Sequence, residues 1–305
     1  MQSKSGPAKL TIYLVLVFAV FMTSWASILI RWCGETPALV ISFYRLLWSF
    51  VLFGMIASRS ARKNLWQLKG LSGRHFMLVL TAGAMLALHF ATWIASLKYT
   101  TVAQSLVLES THPVFAVLLS WLWLKEKSSL RTGIAVAITF VGILIIGGHD
   151  VTLAPRYFIG DMLALVSALF VTLYLLIARY LRGHIDLSPY LFAVYGSATL
   201  VLLFMNLSVG HELIRYRWPV HLLMFLLAMG PTGIGHSLIN WAARHIPVYR
   251  INLMLLGELI LASILAYLIF QEVPARMFFV GAPFIISGIV LALTETSRTD
   301  ALDHE

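Results

Sequence analysis

Charged residues are scarce in this sequence. Lys, Arg, Asp and Glu make up 11% of its 305 residues, whereas soluble globular domains carry about 25%. Cysteine occurs once, as Cys33, which excludes internal disulfides and a metal site built from clustered cysteines. No phosphate-binding loop of the GxxxxGK-Ser/Thr type is present, so the chain does not itself hydrolyse ATP. The composition also excludes a soluble domain, a disordered chain and a coiled coil.

Apolar residues are abundant instead. They make up 60% of the chain and give it a mean hydropathy of +0.87. A membrane helix needs roughly 20 mostly apolar residues, and ten runs approach or reach that length. The sequence therefore predicts an all-α, polytopic membrane protein with ten transmembrane helices and no extramembrane catalytic domain. The predicted spans are residues 10–30, 37–57, 75–97, 102–124, 132–148, 159–181, 189–209, 220–241, 247–270 and 276–293.

Topology, rather than nucleic-acid binding, explains the formal net charge of +9. With the N-terminus placed in the cytoplasm, 15 of the 22 Lys and Arg residues lie on the cytoplasmic side and 6 on the opposite side. The acidic residues divide almost evenly, so the asymmetry is the one that the positive-inside rule expects. We predict an integral protein of the prokaryotic cytoplasmic (inner) membrane, with both termini cytoplasmic and no nucleic-acid partner.

The chain contains an internal repeat. With a shift of 146 residues, residues 102–143 align with residues 248–289 without a gap. The alternative is a chance match between two leucine-rich segments, but the match includes an acidic residue that closes one span and a glycine inside the next. Identical pairs in this alignment include Val102 with Val248, Glu126 with Glu272, and Gly142 with Gly288.

Each repeat holds five spans, an odd number, so the second repeat is predicted to be inverted in the membrane relative to the first. We assign residues 10–148 to the first five-helix repeat, 159–293 to the second, and 294–305 to a short cytoplasmic tail. Inverted repeats recur in secondary transporters, with the substrate site near the bilayer midplane where the halves meet. Exchange of conformation between the halves is a physical route to alternating access.

The motifs and their duplication resemble those of the EamA family of the drug/metabolite transporter superfamily. The resemblance covers about residues 10–293 and implies a ten-helix carrier of amino acids, other small metabolites or amphipathic drugs, often outward and often against a proton gradient. One departure is that Pro113 aligns with Leu259, so the ninth span lacks a proline that many family repeats have. The residues that carry the resemblance are Trp25, Pro37, Phe43-Tyr44-Arg45, the run from Pro113 to Glu126, Gly133, Gly142, the run from His236 to Trp241, Gly257-Glu258 and Glu272.

Polar groups deep in the spans are the candidates for the functional site. An ionisable side chain at the centre of a membrane helix costs about 2.5–3.5 kcal/mol on insertion scales, so it usually faces a cavity or a partner. The candidates for substrate or proton binding are Glu109, His112, Glu258, His236, Asn240, His89, Trp93, Arg45, Tyr44 and Trp241.

Glu109 and His112 lie three residues apart, on one face of the fourth predicted span. Pro113 has no N–H to donate to the carbonyl group of Glu109, so this level of the span offers a carboxyl group, an imidazole and a free backbone acceptor. One interpretation is a solvated centre for proton coupling or substrate binding. The alternative is a Glu–His or Glu–Arg pair that only joins two helices.

Glu258 aligns with His112 under the repeat, which places titratable groups at equivalent depths of the two halves. Its alternative role is that of a neutral glutamic acid hydrogen-bonded to a neighbouring helix. His236 and His89 each lie one helical turn from another candidate, and a lone membrane histidine often serves only as an interhelical hydrogen-bonding group. No helix shows the ligand spacing of a metal site, so we predict no metal and no cofactor.

Arg45 lies well inside the second span, beside Tyr44. A buried guanidinium group next to aromatic side chains could bind a carboxylate, and the alternative is a structural or gating role shared by the family. Trp93 and Trp241 are candidates for the wall of a cavity, in contrast to tryptophans near span ends, which anchor helices at the membrane surface.

Backbone features point to places where spans bend or pack closely. Pro113, Pro231 and Gly233 are gating or kink candidates, with simple helix distortion as the alternative. Gly83 begins a stripe of small residues, one every four, on the third span, which predicts close packing against a neighbouring helix.

Together these features predict a proton-coupled secondary transporter that exports small amphipathic metabolites by alternating access. A facilitative uniporter or an exchanger without proton coupling remains an alternative. A membrane sensor, an intramembrane enzyme and a channel are less well supported, since the chain shows no signalling domain, no nucleophile–base motif and no filter-like loop. The predicted partners are a small-molecule substrate, the lipid bilayer and protons, and the sequence leaves the oligomeric state open.

Overall fold

The computed structural model describes residues 9–59, 68, 70–124, 130–153, 155–181, 184–242 and 248–302. Within these ranges the chain is almost entirely helical and forms no β-strand. This confirms the predicted all-α class. Apolar residues cover both the inside and much of the outside of the helix bundle, as expected for a protein whose solvent is lipid.

The helices follow one another with short connections. Several are longer than the predicted spans; the helix assigned to the fifth span, for example, extends over 24 residues. In chain order the elements are α1 (Lys9–Trp32), α2 (Ala38–Arg59), α3 (Gly73–Tyr99), α4 (Val102–Glu109), α5 (His112–Leu124), α6 (Leu130–Leu153), α7 (Pro155–Leu181), α8 (Leu187–Val209), α9 (Trp218–Leu227), the π-helix π1 (Ala228–His236), α10 (Ser237–Ala242), α11 (Val248–Phe270) and α12 (Arg276–Leu302).

Six helical stretches in the described part of the chain are long and apolar enough to cross a membrane. Three shorter apolar stretches lie in α6, α11 and α12. The protein is therefore an integral membrane protein, while the number of ten spans remains a prediction. The six long stretches are Leu10–Trp32, Ala38–Ile56, Gly73–Tyr99, Pro155–Ala178, Leu187–Val209 and Trp218–Ile239.

Two of the predicted spans are interrupted, and both interruptions lie at prolines identified in the sequence. The fourth is divided at Ser110–Thr111 into α4 and α5, just before Pro113. The eighth passes through π1, a nine-residue π-helix that contains Pro231 and Gly233. A π-helix in place of an α-helix loosens the i→i−4 ladder, often at functional sites. The ninth predicted span, which has no proline, is the continuous helix α11.

The helices contact one another in pairs that correspond under the repeat. Helix α7 packs on α3. Their counterparts under the repeat, α1 and π1, also pack on each other. Helix α7 also contacts α4 and α5, while α1 contacts α11. The equivalent helices α2 and α8 pack on each other, as do α6 and α12. This is the contact pattern of two similar halves related by an approximate two-fold axis.

The contact between α6 and α12 repeats this relationship at the level of single residues. A methyl group added at Gly142 would lie 2.6 Å from the carbonyl oxygen of Gly281. One added at Gly288 would lie 2.7 Å from the carbonyl oxygen of Ala135. The 146-residue shift pairs Gly142 with Gly288 and Ala135 with Gly281, so the two contacts are equivalent. Both require glycine because the backbones approach so closely.

Gly83 makes a similar close approach elsewhere. A methyl group added there would overlap the Ser197 hydroxyl and lie 2.8 Å from the carbonyl oxygen of Val194, both in α8. The predicted close packing at the small-residue stripe of the third span is thus confirmed, and α8 is the neighbour.

We predict that Gly142→Ala lowers the apparent melting temperature of the purified protein in detergent. The added methyl group must displace backbone of α12, and overpacking of this kind costs about 1–3 kcal/mol. Gly133→Ala is the matched control in the same helix, because a methyl group there meets no atom within 4 Å. Equal melting temperatures for the two variants would contradict the close approach of α6 and α12.

Candidate functional site

A cavity of about 170 Å³ lies between the helices of the two halves. A single water molecule needs roughly 10–15 Å³ of cavity volume measured in this way, so the cavity has room for a small solute. It brings together seven of the ten residues predicted for binding: Arg45, His89, Trp93, Glu109, His112, His236 and Glu258. Residues from α1, α2, α3, α4, α5, α7, α8, π1, α10 and α11 complete the lining.

Arg45 is the most deeply buried basic side chain in the described residues, with 1% of its surface exposed. Its Nε donates to the Thr232 hydroxyl in π1 at 2.7 Å. The guanidinium carbon lies 3.9 Å from the centre of the Phe90 ring and 5.6 Å from that of Trp93. Its Nη1 is buried and has no hydrogen-bond partner among the described residues. Arg45 also lines the cavity, and a buried donor without a partner requires an explanation.

Glu109 ends α4, where the fourth span is interrupted, and its half-buried side chain lines the cavity. The backbone acceptor that Pro113 leaves at Glu109 is not left open. The Nδ1 of His112 lies 3.4 Å from the carbonyl oxygen of Glu109, and the carbonyl oxygen of His112 in turn accepts from the Thr172 hydroxyl at 3.0 Å. These contacts fix the interruption against α7 and direct the carboxyl group towards the cavity.

Glu258 reaches the same cavity from α11 in the second half. Its carboxyl group lies near the Thr23 hydroxyl in α1 and close enough to Arg45 and Glu109 for electrostatic interaction. Among the described lining residues, the two halves thus contribute one glutamate each to a space that holds one guanidinium group.

The two histidines of the central helices differ in their surroundings. His89 is buried, and its Nδ1 lies 2.8 Å from the Ser167 hydroxyl and 3.2 Å from the Ser167 carbonyl oxygen in α7. This is the interhelical hydrogen bonding considered as the alternative to direct function. His236 closes π1, is half-buried and lies edge-on to Phe90 at 6.2 Å. Among the described residues, no three His, Cys, Asp or Glu side chains cluster to hold a metal ion.

A sequence model of the EamA-like transporter family matches residues 10–148 and 158–294, which together make up most of the chain. The chain belongs to this family. The resemblance drawn from the motifs is therefore confirmed, and the protein is a transporter.

The similar proteins are named as transporters as well. An uncharacterized transporter of Archaeoglobus fulgidus is 23% identical over 285 residues, covering 92% of this chain and 95% of that protein. A riboflavin transporter of Vibrio cholerae is 28% identical over 205 residues, covering 65% of this chain and 64% of that protein. A crystal structure matches with a TM-score of 0.64 at 15% identity, covering 96% of this chain and 99% of that one. The last match shows the shared fold alone.

Three predicted residues of the transporter do not line the described cavity. The hydroxyl group of Tyr44 donates to the carbonyl oxygen of Leu213 at 2.8 Å, in the connection between α8 and α9. Trp241 packs against Ile12 and Leu16 of α1. Asn240 belongs to α10, and its side chain lies outside the described residues.

The cavity also contains polar residues that the sequence reasoning missed. Tyr174 of α7 and Tyr195 of α8 are buried in its wall, and Thr23, Ser110 and Thr232 add hydroxyl groups. Hydroxyl groups in membrane helices are common and cheap, because they donate back to their own helix, as Thr23 does to the Val20 carbonyl oxygen. Their chemistry alone therefore does not mark a site, although Thr23 precedes the identified Trp25 by half a turn.

Proposed function

We propose that the transporter is a proton-coupled exporter of small amphipathic metabolites, such as amino acids or related compounds, and that it works by alternating access between two inverted five-helix repeats, residues 10–148 and 159–293. The observation that carries this proposal is the cavity between the halves, which joins Glu109 and His112 of the first half to His236 and Glu258 of the second around the buried Arg45.

Charge balance supports the choice of substrate. Arg45 remains protonated at physiological pH, so a charge of +1 in the cavity is balanced only when Glu109 or Glu258 has lost its proton. A zwitterion can place its carboxylate on the free Nη1 of Arg45 and its ammonium group on one of the glutamates. The ammonium group and the proton then compete for the same carboxyl group. Competition of this kind leads to exchange of substrate for protons, which is the coupling that a proton-driven exporter needs.

The aromatic lining supports an amphipathic substrate. Phe90, Trp93, Tyr174 and Tyr195 surround the polar centre, and aromatic side chains offer apolar surface together with polar edges. Pockets for small molecules are commonly apolar with few convergent polar groups. The riboflavin named for the Vibrio cholerae relative is an amphipathic, aromatic compound, so planar aromatic substrates belong to the class that we propose.

The repeat supports alternating access. The equivalent contacts of Gly142 with Gly281 and of Gly288 with Ala135 are those expected of two halves that can exchange conformations. An odd number of spans in each half inverts one half relative to the other, so that exchange opens the opposite side of the membrane. We propose that the spans bend at Pro113, beside the interruption of the fourth span, and at Pro231 and Gly233 in π1.

We predict that Glu109→Gln and Glu258→Gln each abolish flux driven by a pH gradient in proteoliposomes, because glutamine keeps the shape of the side chain but exchanges no proton. The substrate is the best stabilising ligand from a thermal-shift panel of amino acids and hydrophobic cations. Exchange of labelled for unlabelled substrate, which needs no net proton movement, is expected to persist. The control is Glu212→Gln, whose carboxyl group is exposed on a connection between helices. Normal proton-driven flux in both cavity variants would show that these glutamates do not couple protons.

We also predict that Arg45→Ala weakens carboxylate-bearing ligands far more than their uncharged amides. A hydrogen bond to a charged group contributes about 1.5–3 kcal/mol, which corresponds to roughly 10- to 150-fold in affinity. Arg45→Lys should retain part of that affinity, since it keeps the charge but not the geometry. Ligand titrations of variants that stay monodisperse in detergent measure both effects. Equal losses for acids and amides would count against carboxylate binding by Arg45.

A further inference from the structure

One end of the helix bundle is closed by a set of polar contacts that the cavity does not use. We call it the Arg31 end. It contains the C-terminal ends of α1, α3 and α11 and the N-terminal ends of α4, α7 and α12. The contacts converge on Thr100, in the two-residue connection between α3 and α4, and on the first turn of α4.

Arg31 and Glu272 hold this connection from two sides. The Nη2 of Arg31 donates to the carbonyl oxygen of Thr100 at 2.7 Å and lies 3.1 Å from the Glu272 carboxylate. The other oxygen of that carboxylate accepts from the backbone N–H of Val102, the first residue of α4. Side-chain exposures of 27% for Arg31 and 17% for Glu272 show that the pair is largely withdrawn from solvent. Its attraction is therefore screened less by salt than that of a surface pair.

A buried carboxylate holds the same connection from α7. Asp161 is 1% exposed and accepts from the Thr100 hydroxyl at 3.3 Å and from Nε2 of Gln104 at 3.0 Å. Three elements that are far apart in sequence, α1, α7 and the linker before α12, thus hold Thr100 and the first turn of α4.

The backbone beside Glu272 is strained. Gln271 has a φ of 54°, in the left-handed region where glycine is usual at the end of a helix. Its N–H donates to the carbonyl oxygen of Tyr267 at 2.9 Å, which ends α11. A non-glycine residue in this conformation costs about 1–2 kcal/mol, and such strain persists where the surrounding contacts fix it. Here the backbone N–H of Glu272 also donates to the end of α11, at the carbonyl oxygen of Ala266 at 3.4 Å.

The segment held in this way leads directly to the cavity. Helix α4 has eight residues, from Val102 at the Arg31 end to Glu109 in the cavity wall, and is therefore about 12 Å long. The interruption at Ser110–Thr111 separates it from α5. This short helix is held by contacts at its N-terminal end and interrupted after its C-terminal end. It can therefore move as a unit when the contacts at its N-terminal end break.

We propose that Arg31 and Glu272 form a latch that keeps the Arg31 end closed by holding the start of α4, and that this end opens only when the contacts of Glu272 with Arg31 and Val102 break. They are positioning residues, since neither lines the cavity. The proposal gives a role to Glu272, whose counterpart under the repeat, Glu126, lies outside the described residues. It rests on the proposed alternating access, but its test requires no transport.

The test measures access to the cavity with a single reporter cysteine. Cys33→Ala removes the native thiol, which is 3% exposed and whose pKa burial raises to about 12, and Ser110→Cys places a thiol of similar size in the cavity wall. A membrane-impermeant maleimide is added to membrane vesicles. The side facing the reagent is established with Ile214→Cys, a residue that is 87% exposed in the connection after α8. This connection lies at the Arg31 end, because Tyr44 of α2 donates to the carbonyl oxygen of Leu213 and Asn206 of α8 donates to that of Leu39 at the start of α2.

We expect slow labelling of the Ser110→Cys reporter from the Arg31 end in the parent, and labelling about 5- to 30-fold faster after Glu272→Gln or Arg31→Gln. Arg31→Lys, which keeps the charge, should label at an intermediate rate. The matched control is Glu212→Gln, which breaks an ion pair of the same 3.1 Å length with Arg215 at the same end of the bundle but fully on the surface. It should leave the rate unchanged.

Fast labelling of the parent would overturn the proposal, because the end would already be open. Parent-like rates in both latch variants, or an equal increase in the Glu212→Gln control, would overturn it as well. Variants that do not fold are recognised by loss of the monodisperse peak in detergent. If Glu272→Gln or Arg31→Gln does not fold, the labelling rate of Arg31→Lys tests the proposal. Failure of this test would not bear on proton coupling at Glu109 and Glu258. Labelling can also demonstrate the latch in variants that do not transport.

Discussion

The burial of one guanidinium group between apolar helices is the constraint on which the rest of the structure depends. A cation in the membrane interior is stable only where partners replace its lost hydration. Arg45 finds a hydroxyl group in π1, two aromatic rings in α3, and the field of the Glu258 carboxyl group in α11. These partners come from three different parts of the chain, so the guanidinium group fixes how α2, α3, π1 and α11 meet. Its Nη1 has no hydrogen-bond partner among the described residues.

The same arrangement links energetics to function. Close glycine contacts between α6 and α12 hold the halves together at one place, while the interrupted fourth span and π1 lie beside the cavity and are the least regular parts of the spans. The first half contributes Glu109, His89 and His112 to that cavity, and the second half contributes Glu258 and His236. A change of protonation or of ligand there therefore acts on interrupted or irregular segments of the spans.

Features that depend on local sequence could be predicted from it. The helical class followed from apolar runs, and Glu109, Glu258 and Arg45 stood out because charges are expensive inside spans. The glycines Gly142 and Gly288 were recognised as a repeat pair, but the contact of α6 with α12 that they form was not predicted. The roles of Tyr174, Tyr195 and Asp161 could not be predicted in this way. A tyrosine in a span or an aspartate near its end is equally compatible with the membrane surface, and only packing decides that Asp161 turns inward to Gln104. For the same reason Tyr44, next to Arg45, was grouped with the site although its hydroxyl group reaches Leu213 instead.

The most direct test of proton-coupled transport uses the unaltered protein. Proteoliposomes are loaded with the best stabilising ligand, and its flux is measured with an imposed pH gradient and again after a protonophore has collapsed that gradient. The account predicts that the ligand moves against its own concentration gradient in the first case, with protons moving in the opposite direction, and only down that gradient in the second. Equal flux with and without the pH gradient would contradict it.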